Sequence, residues 1–143
     1  MTGRRDIDHV IEWSKGQITH PDRSYRGLCQ SHCRTAYGVP AWSPSAKAAW
    51  QHIPHNMRHA GGKPSDAPRG ALLYYDTGNY GHVAIAIGKD GRNCLSNDYA
   101  RSGRIDVVPR TFSRWGEHYV GWSSATPWGH YNLTTGLWVP GKW

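Results

Sequence analysis

The chain has 143 residues and a formal net charge of +7 at pH 7, from 17 Lys and Arg against 10 Asp and Glu. Its length suits a single domain, and no apolar run approaches the about 18 residues of a membrane span. The positive charge predicts an anionic partner, while eight Trp and eight Tyr exclude a disordered chain.

The beginning of the chain and the cysteine count indicate where the protein works. Residues 1–6 lead into no apolar run, so we expect no secretory signal peptide. Three cysteines, an odd number, argue against a disulfide framework and favour reduced thiols.

Helical periodicity and terminal signals predict three helices in the first part of the chain. Each is followed by a glycine or proline that does not continue a helix. They run from Asp6 to about Gly16, from Cys29 to Tyr37 before Gly38, and from Pro44, with Ser43 as cap, to a stop at Pro54.

After a predicted loop over residues 54–69, β-rich runs alternate with turn signals. Asp90-Gly91 predicts a hairpin. Predicted strands cover residues 70–75, 82–87, a run from Cys94, 105–108 and 119–122, with a helical turn near Phe112–Trp115. Helices followed by an antiparallel meander indicate an α+β domain over residues 1–125. We expect the Trp-rich tail, residues 126–143, to pack on the same domain.

Cys29 is the candidate nucleophile because it opens a predicted helix. Unpaired N–H groups and the positive end of the helix dipole favour a thiolate there. His82, at the start of a strand, is the candidate base, and small Ala84 and Ala86 on its face would let the helix carrying Cys29 lie against the sheet. We expect activity to follow a thiolate–imidazolium pair.

A third residue should orient the imidazole, and the hairpin register decides which one can reach it. A plain two-residue turn at Asp90-Gly91 places Asn97 on the face of His82. A one-residue bulge in the loop places Ser96 and Asp98 there instead. The residues alone leave both registers open.

Three stretches in this order resemble the CHAP and NlpC/P60 superfamily of papain-like cell-wall hydrolases. They are Gly27-Leu28-Cys29 through Pro40, Gly81-His82-Val83-Ala84-Ile85, and Ser96-Asn97-Asp98 with Gly103-Arg104 and Val108-Pro109. Trp115-Gly116 and Gly121-Trp122 look similar to versions of this domain in lysins of actinobacterial phages. The matches cover most of residues 25–124.

The resemblance implies a papain-like fold, with N-terminal helices packed on an antiparallel sheet. The implied activity is peptidoglycan hydrolysis by an endopeptidase or an N-acetylmuramoyl-L-alanine amidase, without a metal or other cofactor. Cys29 matches the nucleophile and His82 the base. Many relatives carry Glu-x-Asn at the third position, where this chain has Ser96-Asn97-Asp98. We therefore predict Asp98, at the Asn position, as the third catalytic residue, with Asn97 as second choice.

The same resemblance implies the partners and the setting. We expect binding to peptidoglycan and anionic wall polymers, no nucleic-acid binding, no stable membrane insertion and a monomeric state. The implied setting is a phage endolysin, made in the host cytoplasm and released to the wall through a holin. A toxin injected by a secretion system is the alternative setting.

Competing interpretations remain. A zinc site would use Cys29, His32 and Cys33, or the histidines at 52, 55 and 59, but neither set has a familiar ligand spacing. A nucleic-acid or polyanion binder would fit the charge, although the arginines are scattered as on a solvated face. A catalytically silent wall-binding module would use the tail aromatics, which are Trp128, Tyr131, Trp138 and Trp143.

Overall fold

The computed structural model of the protein describes residues 7–38, 45–53, 55, 58–111, 118–123, 125–126, 129–132 and 137–140. Its helices are α1 (Ile7–Thr19), α2 (Cys29–Tyr37), α3 (Ala46–His52) and a 3-10 helix (Pro64–Asp66). Its strands are β1 (Arg58–Ala60), β2 (Leu72–Tyr75), β3 (His82–Ile87), β4 (Asn93–Asn97), β5 (Ile105–Pro109), β6 (Tyr119–Ser123), β7 (Ala125–Thr126), β8 (Gly129–Asn132) and β9 (Leu137–Pro140).

The helices follow the predicted order with shifted ends. α1 continues past Gly16, whose carbonyl accepts the N–H of His20 at 3.0 Å. Packing of the buried stripe that includes Val10 and Ile11 outweighs the weak helix propensity of one glycine. α2 has the predicted bounds and ends at Gly38.

α3 begins later than predicted, with Ser45 as its cap. The Ser45 hydroxyl accepts the N–H of Ala48 at 3.1 Å, which satisfies one of the free donors at the helix start. The predicted cap Ser43, Pro44 and the predicted stop Pro54 lie outside the described residues.

The first six strands form one antiparallel sheet in the order β1-β6-β2-β3-β4-β5. The sequence analysis missed β1, which lies in the predicted loop and is only three residues long. Its pairing with β6 is a long-range contact that local patterns do not reveal. The tail forms a second sheet in the order β7-β8-β9, and the predicted helical turn near 112–115 falls outside the described residues. The α+β class is confirmed.

Both faces of the large sheet are buried at its centre. Val83, Ile85 and Ile87 of β3 belong to the core shared with the three helices. Ala84 and Ala86 belong to a second core on the other face. The prediction that these alanines make room for α2 is therefore wrong: the helices pack on the branched residues, and the sequence cannot tell which side of a strand buried on both faces meets them.

One of the scattered arginines is not on a solvated face. Arg110 is 1 % exposed, and its guanidinium donates to four backbone carbonyls, those of Pro64, Ala67, Ile87 and Asn93. It thus ties the 3-10 helix segment to the β3–β4 hairpin. Within the described residues, no helix is long and apolar enough to cross a membrane.

Candidate active site

A cleft of about 560 Å³ lies where the first turn of α2 meets the starting end of β3. Cys29, His82, Asn97 and Asp98 all line it. The structure therefore brings the predicted candidate residues to one place, although they come from three separate parts of the chain.

A close approach between a loop and a helix fixes the start of β3. Gly81 has a φ of +70°, and a Cβ at this position would lie 3.0 Å from the backbone nitrogen of Lys47. The preceding carbonyl, of Tyr80, accepts the Lys47 N–H at 2.8 Å. Only glycine combines this backbone conformation with such close packing on α3, and His82 enters the cleft as the next residue.

The Cys29 thiol lies at the start of α2, against the backbone N–H groups of Val83 and Gln30. Burial raises the pKa of the Cys29 thiol to about 11, although these N–H groups oppose the rise. The expected thiolate is thus not the resting form, because burial destabilises the charged thiolate more than the backbone N–H groups at the helix start stabilise it. Cys29 therefore rests as a neutral thiol.

The His82 imidazole is held by a serine. Its Nε2 lies 2.8 Å from Ser96 Oγ, and that hydroxyl donates its proton to the carbonyl of Asn97 at 3.0 Å. With its one proton directed to the Asn97 carbonyl, the hydroxyl is the acceptor of the His82 bond. Nε2 therefore carries the imidazole hydrogen, and Nδ1 carries the lone pair that can accept a proton.

Burial also keeps this imidazole neutral. It lowers the pKa of His82 to about 4, and the nearby Asp98 charge opposes the shift. At neutral pH the cleft thus contains a neutral thiol and a neutral base rather than the expected ion pair.

The register between β3 and β4 is the one predicted for a hairpin loop with a one-residue bulge. Ile85 pairs with Leu95, and Ile87 with Asn93, so continuation of the ladder toward the cleft sets His82 opposite position 98. Ser96 and Asp98 therefore share its side of the sheet, and Asn97 faces the other side, where its Nδ2 donates to the Tyr25 carbonyl at 2.7 Å.

Asp98 was predicted to orient His82, but the His82 Nε2 atom is bonded to Ser96 and not to Asp98. It follows the last residue of β4 with a φ of +62°, which turns its side chain away from the strand direction. Its carboxylate accepts the N–H groups of Gly27 at 2.7 Å and Gly103 at 2.6 Å. Asp98 therefore anchors the loop that leads into Cys29.

Ser96 is the residue that sequence reasoning had in view but did not choose. By the motif spacing it stands at the Glu position of the hydrolases that the chain resembles, and the bulged register places it beside His82. Asp98 was predicted instead, with Asn97 second, because an ionised acceptor also stabilises the imidazolium. The left-handed backbone at Asp98 turns its carboxylate toward Gly27 and Gly103; Asp adopts this conformation more often than most non-glycine residues, but the sequence does not fix where it does so.

The residues of the alternative zinc site have other partners. His32 is fully buried, and its Nε2 lies 2.6 Å from Ser14 Oγ. The Cys33 thiol faces the Val83 carbonyl at 3.8 Å. Among the described residues, no three ligating side chains cluster as a metal site requires.

The chain was compared with protein-family models and with curated proteins. No family model matches it. No curated protein matches it significantly either.

Proposed function

We propose that this protein is a cysteine-dependent hydrolase of amide bonds in bacterial peptidoglycan, with a papain-like fold of the CHAP and NlpC/P60 type. One observation carries the proposal: the Cys29 thiol and the His82 imidazole line the same surface cleft, and Ser96 holds the imidazole in the tautomer that a base requires. Cys29, His82 and Asp98 remain the proposed functional residues, with Ser96 added as the residue that orients His82.

The proposed reaction is acyl transfer through a thioester. His82 Nδ1 takes the thiol proton as Cys29 Sγ attacks the carbonyl carbon, and the backbone N–H of Cys29 stabilises the oxyanion. His82 then gives this proton to the leaving amine as the C–N bond breaks. A water molecule, deprotonated by His82, attacks the thioester, which releases the acid and restores the thiol.

Asp98 would act on this reaction through the backbone. By holding the N–H of Gly27, two residues before the nucleophile, it fixes the entry to α2. Its negative charge also favours the imidazolium that forms during attack, because the field of Asp98 raises the pKa of His82 against the effect of burial.

Features of the cleft favour a polymeric substrate. Leu28 and Tyr80 are large apolar side chains that line the cleft while remaining 40 % and 73 % exposed. Such side chains suit contact with an extended ligand. The net charge of +7 would attract the anionic polymers of a cell wall.

Mass spectrometry of muropeptides released from purified walls tests the proposal. The intact protein should release soluble fragments, and Cys29→Ala should release none. New amino termini within a peptide would identify an endopeptidase, and cleavage at the lactyl group an amidase.

Cys33→Ala is the matched control, because it removes a thiol from the next turn of the same helix. It should retain hydrolysis within a few-fold. Release of the same fragments by Cys29→Ala would overturn the proposal.

A further inference from the structure

The cleft continues beyond Cys29 along the exposed side of α2. Gln30, Ser31 and Arg34 line this extension, and the start of α3 borders it. A substrate that placed its scissile carbonyl at Cys29 could therefore extend one of its arms beside Arg34.

The charge of this extension is not balanced within the described residues. Arg34 is half-buried, and none of the ion pairs there includes it. Asp98, the acidic residue that lines the cleft, already accepts three N–H groups, from Gly27, Gly103 and the Asn97 side chain. The cleft thus offers a guanidinium with its donors available to an anionic ligand.

A second polar group in the cleft also lacks a protein partner. Asn97 is 1 % exposed, and its buried Oδ1 has no hydrogen-bond partner among the described residues. Its Nδ2 donates to the Tyr25 carbonyl and to Asp98, which fixes the orientation of the amide. The unpaired state of this acceptor is costly, but the atom is fully covered, so the inference about the ligand rests on Arg34.

The spacing between Cys29 and Arg34 gives the position of the anion. Five residues of α-helix rise about 7.5 Å along the axis and turn about 140° around it, so the two α carbons lie about 9 Å apart. An extended peptide advances about 3.3 Å per residue, so this distance corresponds to about two to three residues of substrate.

We propose that Arg34 binds a free carboxylate of the substrate, within about three residues of the scissile amide. This inference rests on the proposed function and narrows its substrate to peptides that carry an acidic group near the cleaved bond. The planar guanidinium suits a carboxylate because it can donate two parallel hydrogen bonds.

Binding tests the inference without the proposed chemistry. Two ligands are prepared from one sample of purified muropeptides: the native mixture and the same mixture with its carboxylates amidated by carbodiimide and excess ammonium. In a Cys29→Ala background, calorimetry should show that the native mixture binds about 10- to 100-fold more tightly than the amidated one.

The charge at Arg34 should account for that preference. Adding Arg34→Gln to the same background should remove it, and Arg34→Lys should retain part of it, because a lysine preserves the charge without the paired donors. Arg92→Gln is the matched control: this side chain is exposed on the β3–β4 hairpin and lies outside the cleft, so its loss should leave the preference intact.

The two proposals fail in different ways. Equal binding of native and amidated muropeptides, or a preference that survives Arg34→Gln, would overturn the role of Arg34. Hydrolysis that survives Cys29→Ala would overturn the proposed function, whatever the binding data show.

Discussion

The protein has two cysteine–histidine pairs at or beside α2, and they differ mainly in whether they line the cleft. Cys29 and His82 line the cleft, whereas Cys33 and His32 are completely buried. Both thiols contact the same residue of β3: Cys29 lies against the N–H of Val83, and Cys33 faces its carbonyl.

The two histidines also have matching environments. Each Nε2 is bonded to a serine hydroxyl, Ser96 for His82 and Ser14 for His32. Burial lowers the pKa of both, to about 4 for His82 and about 3 for His32. His32 is further enclosed by aromatic rings, with Trp13 stacked at 6.4 Å and Tyr25 edge-on at 5.9 Å.

Neither residue type nor hydrogen-bond partner therefore distinguishes the candidate active site from the core cluster in this protein. Only Cys29 and His82 line a cleft that a substrate can enter. The Cys33 and His32 pair therefore serves as an internal control for every test of the pair in the cleft.

Replacement of the two histidines should have the largest effect. His82→Gln removes the proposed base, and we expect the turnover number for wall fragments to fall by roughly 10³- to 10⁴-fold. His32→Gln should lower the melting temperature while leaving turnover within about tenfold in the folded protein. Equal losses in the two variants would show that the imidazole in the cleft has no special role.

Acid should destabilise the protein through the same histidines. Below the unfolded-state pKa of about 6.5, the unfolded chain binds protons that the folded chain excludes until about pH 4 for His82 and about pH 3 for His32. Stability should therefore fall as pH decreases across this window, by up to about 1.4 kcal/mol per pH unit for each histidine.

Urea unfolding at pH 7, 5 and 4 measures this loss. For His32 alone we expect on the order of 3 kcal/mol between pH 6.5 and 4, and His32→Gln should flatten that part of the profile. An unfolding free energy that stays constant from pH 7 to 4 would contradict the burial of neutral imidazoles.

The thiols should differ in reactivity. Iodoacetamide should label Cys29 at least about 10²-fold faster than Cys33 or Cys94, because the latter two react only after the structure opens. The labelling rate of Cys29 should keep rising toward pH 11, since burial raises its thiol pKa.

Peptide mapping after timed labelling identifies the modified cysteine. A rate for Cys29 that reaches its plateau below pH 7 would instead indicate a thiolate already formed at rest.

The smallest effect is expected at the serines. Ser96→Ala removes the acceptor that fixes the His82 tautomer, and turnover should fall about tenfold. Nitrogen-15 NMR of the imidazole should show a loss of the Nε2–H preference. Ser14→Ala should reduce stability by about 1 kcal/mol without changing turnover. An unchanged tautomer in Ser96→Ala would remove this serine from the site.

The elements of the site were predictable because their signals are local. Gly27-Leu28 before Cys29 and Gly38 after Tyr37 delimit α2, and β3 is a run of β-branched and small residues. The order of these motifs led to Cys29 and His82, and both line the cleft.

Other features of the site were outside the reach of the sequence. The β3–β4 loop could adopt either register, and the φ of Asp98 depends on the loops that its carboxylate binds. The pKa of Cys29 depends on how deeply the thiol is covered, which the helix-start signal does not reveal.

The amino-acid order by itself determined that helices precede an antiparallel sheet, and that a cysteine opens one helix while a histidine opens one strand. These features follow from the conformational preferences of residues close together in the chain. The tertiary structure alone decided that Ser96 holds the imidazole, that the branched face of β3 meets the helices, and that Cys29 rests as a thiol. Each of these depends on desolvation and contact between segments far apart in the chain, which local preferences do not encode.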